Sequence, residues 1–290
     1  MDSAKTKFAY FGSSRLSVIV LDELNSLGYV PSVIVTTIDK PVGRKQILTP
    51  NEVKVWGTNH NILVLDPAKL NDEFINNFKG LCQKDQIEVY LVASYSKIIP
   101  KALVNLPQKG ILNIHPSLLP KYRGPSPLGS AILNDDKETG VCLMKIDEEM
   151  DHGPIVSCEK VHIDEWPVYE DYEEMMAKIG ANLFAQNIEK YMRSEINLVE
   201  QNHSEASYTK KFTKDDGKID LSATPRQNWL KYCAFHQWPQ IYFIWKNKDR
   251  ETRVKITDAI YSDDKFIIKK VIPEGSNEMD YEDFLRGYRD

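Results

Sequence analysis

The sequence predicts an α/β protein: a Rossmann-like, mostly parallel sheet with helices on both faces, followed by a smaller C-terminal β-barrel of OB-like type. Three observations predict it. Short apolar runs alternate with helical patterns from the amino terminus to about residue 193, the alternation that a parallel sheet with covering helices requires. A polar stretch without periodicity follows at residues 200–207. Beyond it the chain becomes aromatic and then strand-like, which favours a small barrel. The chain therefore divides into a domain at 1–195, a linker at 196–208 and a second domain at 209–290.

Residues 7–11 read as a first short apolar strand, and Gly12-Ser13-Ser14 as the turn after it. Leu16, Val20, Leu24 and Leu27 then recur at helical spacing, with Gly28 placed to close the helix. A single glycine at this first turn cannot supply the three-glycine dinucleotide fingerprint, so no nucleotide cofactor is implied. Residues 32–37, 62–65, 89–93 and 110–114 are the next strands. Between the second strand and a helix starting near Asn51, Pro41, Gly43 and Pro50 discourage regular structure, while Lys40, Arg44 and Lys45 add positive charge.

A long helix is predicted over 168–193. Tyr172, Met176, Ile179 and Leu183 form one buried stripe, and acidic residues at the start with Lys190 and Arg193 at the end suit the helix dipole. Trp229, Tyr232, Phe235 and Phe243 crowd the region after the linker, and strands are predicted at 254–261 and 266–272. Residues 203–272 carry 14 Lys and Arg against 9 Asp and Glu, a net of +5 on a chain whose whole charge is −5. A basic face on an acidic protein suits a polyanionic partner.

At 290 residues, 42% hydrophobic and 27% charged, the composition is that of a globular two-domain protein. No apolar run approaches the roughly 18 residues of a membrane span. The amino terminus lacks the basic start and apolar middle of a secretory signal, so a cytoplasmic location without membrane contact is expected. Cys82, Cys142, Cys158 and Cys233 are too scattered for a metal pair and too few for a disulfide scaffold. Buried free thiols and no metal are expected.

The chemistry concentrates at residues 113–124, NIHPSLLPKYRG. Asn113 and His115 stand two apart at the end of an apolar strand, so they share one face, and Pro116 and Pro120 stop the strand there. A hydrogen-bond donor beside a titratable base on a rigid edge suits work on a carbonyl group. Downstream, DEEMDHGP at 147–154 places Asp151 on a turn, where a carboxylate would fix the tautomer of His115 and raise its basicity.

Together, Asn113, His115 and Asp151 in NIHPSLLP and D-x-G-P contexts resemble the folate-dependent formyltransferases, and the run from Ser126 to Asp147 matches that family as well. Residues 211–239, KFTKDDGKIDLSATPRQNWLKYCAFHQWP, and the ending PEGSNEMDYEDFLRGYRD are similar to the methionyl-tRNA formyltransferases, so the resemblance covers nearly the whole chain. It implies formyl transfer from 10-formyltetrahydrofolate to methionine on initiator tRNA, by a monomer, with Asn113, His115 and Asp151 catalytic. It further implies a pterin site on Ser96, Lys97, Ile98 and Ile99 and on Asp147, Glu148 and Met150. The basic loop with Lys40, Arg44 and Lys45 would face the tRNA acceptor end, as would Lys210 and Lys211 beyond the linker. The family's GRG is here Gly43-Arg44-Lys45, which implies a different loop path. A sugar-nucleotide N-formyltransferase shares the same three residues and is the alternative enzyme. Hydrolysis at the same site and a noncatalytic RNA-binding protein are the other readings.

Overall fold

The computed structural model describes residues 5–43, 45–247 and 250–287. The alternation seen in the sequence becomes β1 (Phe8–Phe11), α1 (Arg15–Ser26), β2 (Val33–Val35), β3 (Lys40–Val42), β4 (Ile47–Thr49), α2 (Glu52–Asn59), β5 (Leu63–Leu65), α3 (Asp72–Asp85) and β6 (Val89–Val92). There follow α4 (Lys101–Val104), β7 (Gly110–His115), α5 (Pro127–Leu133), β8 (Glu138–Lys145), β9 (Ile155–His162) and the long α6 (Tyr169–Met192). Last come α7 (Pro225–Ala234), β10 (Tyr242–Asn247), β11 (Arg250–Ser262), β12 (Lys265–Pro273), β13 (Met279–Asp280) and α8 (Tyr281–Gly287).

Seven strands form one sheet in the order β5-β2-β1-β6-β7-β8-β9, parallel from β5 through β7 and antiparallel from β7 to β8. Its central strands are apolar at every position because both faces are covered. On one face Ala9 and Phe11 pack with Val35, Tyr90 and Ile111 against Ile75, Phe78 and Cys82 of α3. The Phe11 and Phe78 rings meet edge to face at 5.7 Å. With Phe11 fully buried, its truncation to Ala would cost about 3–5 kcal/mol. On the other face Phe8 meets Phe184 of α6 at 5.1 Å, and the Tyr10 hydroxyl donates to the Ser17 carbonyl in α1 at 2.9 Å.

Local sequence explains the helix ends. Ser14 and Ser17 form a reciprocal capping box at the start of α1, and Gly28, at φ +76°, turns the chain out after it. Gly180 lets α6 approach β7, since a Cβ there would overlap Ile114.

The chain separates into two compact units. One gathers the described residues within 1–123 with 140–161 and 174–208; the other gathers 124–139 and 162–173 with the described residues of 209–290. In the second unit, Thr224 and Gln227 form a capping box on α7, and β10, β11, β12 and β13 form an antiparallel sheet in sequential order. Among the described residues no pairing of β10 with β13 closes this sheet into a barrel. Its core gathers Tyr232, Phe235, Phe243, Val254, Val271 and Phe284, all buried. Arg226 pairs with Asp135 at 2.6 Å and with Glu165 at 2.7 Å, and its guanidinium lies 5.5 Å from the Tyr261 ring.

Two sequence expectations are corrected. The segment with Pro41, Gly43 and Pro50 is not irregular: β3 and β4 pair as an antiparallel hairpin, because Pro41 sits in a two-stranded ribbon whose outer edges need no ladder and Pro50 falls just past β4. Cys142 and Cys158 are not free thiols. They form a disulfide joining β8 and β9, with Cα atoms 4.1 Å apart, because the sheet makes neighbours of residues distant in sequence; Cys82 and Cys233 are the buried free thiols. Residues 196–208, read as the linker, make contacts of their own. Val199 exchanges two backbone hydrogen bonds with Ile155, at 2.8 and 2.9 Å, and Gln201 is buried.

Among the described residues no helix is long and apolar enough to cross a membrane, and no group of His, Cys, Asp and Glu is arranged to hold a metal ion.

Candidate active site

Strand register places the strand-end pair. Leu65, Val35, Phe11, Val92 and Asn113 form one rung across β5, β2, β1, β6 and β7, the last rung of the parallel part. His115 stands two residues beyond it, paired only with Cys142 of β8. Period-two geometry puts Asn113 and His115 on the face of Ile111, which faces α3. Pro116, lacking an N–H, ends the ladder.

His115 is 4% exposed and held by two oxygens. Its Nε2 lies 3.0 Å from the Tyr122 carbonyl, and its Nδ1 lies 3.6 Å from Oδ1 of Asp151. A carbonyl only accepts, so Nε2 carries the hydrogen. The tautomer is therefore set by a backbone oxygen of the Pro-rich turn rather than by Asp151, as the sequence suggested. In the neutral ring Nδ1 then turns a lone pair toward the carboxylate, whereas a ring protonated on both nitrogens donates to the Tyr122 carbonyl and faces the carboxylate with opposite charge.

Asp151 lies on the turn between β8 and β9 at φ +49°. The turn is bonded internally: Asp147 accepts from the Glu149 N–H at 2.9 Å and contacts His152 Nδ1 at 2.7 Å. Gly153 passes so close to the Lys145 carbonyl that no side chain fits. The amide nitrogen of Gln201 donates to the carbonyls of Asp151, at 2.9 Å, and of Gly153, at 2.7 Å, while its Oε1 accepts from Arg123 at 2.7 Å. Tyr122, Arg123 and Gln201 escaped sequence reasoning. Tyr122 acts through a backbone atom, Gln201 sits in a stretch that reads as a linker, and only the charge of Arg123 beside the strand-end motif was a usable signal.

Of the two segments expected to hold a pterin, the acidic turn is paired through Glu148 with Lys101, which opens α4 two residues past Ile99. Ser96 hangs on the first turn, its N–H donating to Ser13 Oγ at 3.1 Å. Lys97 turns toward the carbonyls of Pro67 and Ala68. Partial burial, aided by the charge of Lys40, holds its ammonium below the usual lysine range. Ile99 packs on the core. Ile98, at 91% exposure, and Met150, at 61%, leave apolar surface uncovered on the two segments, and Asp147 is half-buried.

Lys40 on β3 and Lys45 in the hairpin turn are exposed, and Arg44 lies outside the described residues. The same hairpin exposes Val42, Ile47 and Leu48 at 56%, 61% and 69%. Lys210 and Lys211 are exposed in the second unit, whereas the hairpin belongs to the first.

The family described as formyl transferase matches residues 6–188. A methionyl-tRNA formyltransferase of Chloroflexus aggregans is 37% identical over 243 residues, covering 83% of this chain and 77% of its own. The methionyl-tRNA formyltransferase of Clostridium thermocellum shares the fold with a TM-score of 0.59 at 14% identity, covering 93% of this chain and 99% of its own. An N-formyltransferase from Helicobacter canadensis, solved in complex with folinic acid and dTDP-3-aminofucose, shares it with a TM-score of 0.63 at 21% identity, over 89% and 88%. With its Asn113, His115 and Asp151 at the carboxyl edge of the sheet, the chain belongs to the formyl transferase family, among the methionyl-tRNA formyltransferases.

Proposed function

We propose that this protein transfers a formyl group from 10-formyltetrahydrofolate to the α-amino group of methionine on initiator tRNA, acting as a monomer in the cytoplasm to supply translation initiation. The observation that carries the reading is His115 held between the Tyr122 carbonyl and Asp151, two residues past Asn113 on the sheet edge.

The chemistry needs no strong base. An α-amino group has a pKa of roughly 7.7–8.0, so part of it is neutral at physiological pH and can attack the formyl carbon. Attack puts negative charge on the formyl oxygen and positive charge on the nitrogen. The Asn113 amide is the donor for that oxygen, the His115 imidazolium supplies positive charge beside it, and Asp151 balances the imidazolium and takes part in returning a proton to the departing folate nitrogen. Exposed Ile98 on one segment and exposed Met150 with the carboxylates of Asp147 and Glu148 on the other suit the apolar face and polar edges of a flat ring.

The acceptor is read from the relatives' names and from the hairpin. Exposed Val42, Ile47 and Leu48 between Lys40 and Lys45 suit a nucleic-acid end, where phosphates meet the lysines and unstacked bases the apolar side chains. Lys210, Lys211 and the second domain at 209–290 extend that reading to the tRNA body. An amino sugar linked to a nucleotide is the second reading, favoured by the fold shared with the Helicobacter enzyme. Incubating the protein with 10-formyltetrahydrofolate and either methionyl initiator tRNA or a panel of nucleotide-linked amino sugars separates the two. Formylation of the tRNA alone supports the proposal, and formylation of a sugar alone overturns it.

A further inference from the structure

The segment 199–208, polar and aperiodic in sequence, bonds to the backbone of both residues whose oxygens face His115. Val199 closes two backbone hydrogen bonds with Ile155, at the base of the turn that carries Asp151. Gln201 donates to the carbonyls of Asp151 and Gly153 within that turn. At the far end, Ser207 Oγ accepts from the Tyr122 N–H at 2.9 Å, and the Ser207 carbonyl accepts from the Arg123 N–H at 2.8 Å. Between them the Arg123 guanidinium, 1% exposed, joins Gln201 to His203 Nδ1, at 2.8 Å, and to the Tyr208 hydroxyl, at 3.3 Å. The imidazole of His203 in turn stacks on that of His152, in the same turn as Asp151, at 3.9 Å.

We propose that 199–208 is a strap that positions the catalytic histidine, with Gln201 as its positioning residue. Nothing local fixes the distance between the Tyr122 carbonyl and the Asp151 carboxylate, since one follows β7 and the other follows β8. The strap bonds to the backbone on both sides, so it sets the gap into which the imidazole fits. The Gln201 side chain serves both sides at once, with its two N–H groups on the Asp151 turn and its oxygen on Arg123. A buried primary amide meets that demand because it is donor and acceptor together; a carboxylate keeps only the Arg123 side and faces two carbonyls with like partial charge. The inference rests on the active-site reading above.

Two variants test it. Gln201→Glu keeps the bond to Arg123 and removes the donors, and Gln201→Leu removes both. The readouts are kcat and KM for formyl transfer, the thermal midpoint, and the ring-nitrogen NMR signals of His115 in protein labelled with ¹⁵N-histidine. We expect kcat to fall about 10- to 100-fold in Gln201→Glu, the penalty of a misplaced reacting group, with the KM for charged tRNA within about twofold and the fold intact. The His115 signals should move in both variants. Where Gln201→Leu fails to fold, Ser207→Ala, which removes the acceptor on Tyr122, takes its place. Wild-type kcat with unmoved His115 signals in a folded Gln201→Glu protein would overturn the strap. If the wild-type protein formylates none of the offered amines, the proposed function fails, and the His115 signals still decide the strap.

Discussion

Oδ1 of Asp151 stands 3.6 Å from Nδ1 of His115, a spacing that serves an imidazolium better than a neutral ring whose hydrogen already points at Tyr122. At that distance the carboxylate acts by charge rather than by a hydrogen bond. Replacing His115 with Ala should lower kcat by at least about 10²- to 10³-fold, the scale of electrostatic stabilisation of an oxyanion, while leaving the affinity for charged tRNA near wild type. Asp151→Asn keeps the size and removes the charge, and should lose rate in the same direction. Single-turnover kinetics beside a tRNA binding titration check both. Equal losses of binding and rate would remove His115 from the chemistry.

The exposed hairpin makes its own demand. Changing Lys40 and Lys45 to Ala should weaken tRNA binding and reduce the dependence of affinity on salt, by about 0.7 in the log–log slope for each lost single-strand phosphate contact. Binding isotherms between low and moderate salt report this directly. An unchanged slope would return the hairpin lysines to ordinary solvated charge.

Acid stability should be set partly by Asp135. The hydrogen bonds from Arg226 hold its carboxyl below the usual aspartate range, with Lys137 adding to them. A depressed folded-state pKa gives stabilisation that is fully present above the unfolded value, roughly 4, and is lost as pH falls through the lower folded value. Urea unfolding at successive pH values below 5 should show that slope. Because the pair is partly exposed, salt should shrink it. Arg226→Met should flatten it; an acid limb identical to wild type would assign acid sensitivity to other carboxylates.

Thiol chemistry tests the cysteine assignment. Burial pushes the Cys233 thiol up to about 12 and raises that of Cys82 as well, so both stay protonated and unreactive in the native protein. Alkylation should be slow until denaturant is added. Two thiols should then titrate without reductant, and four after reduction. Four at the outset would show that Cys142 and Cys158 are not joined.

The catalytic core was legible because its signals are local. The strands Phe8–Phe11 and Val89–Val92 are apolar throughout because both faces of the sheet are covered, and Asn113 with His115 follow from the two-residue period of a strand and the proline that ends it. The stripe of Tyr172, Met176 and Leu183 likewise announced α6, and all three are buried. Capping at Ser14 and Thr224 is written in neighbouring residues too.

Only tertiary structure decided the rest, since each remaining feature joins residues that sequence spacing keeps apart. The Tyr122 carbonyl is an atom every residue has, and no side-chain pattern marks it as the partner of His115. Gln201 reads as linker until Ile155 and Val199 pair and bury it. Cys142 and Cys158 meet because β8 and β9 are neighbours in the sheet. Periodicity along a chain reports which side of an element faces the core; which elements then face each other is settled by long-range packing and hydrogen bonding, and those contacts set the spacing around His115.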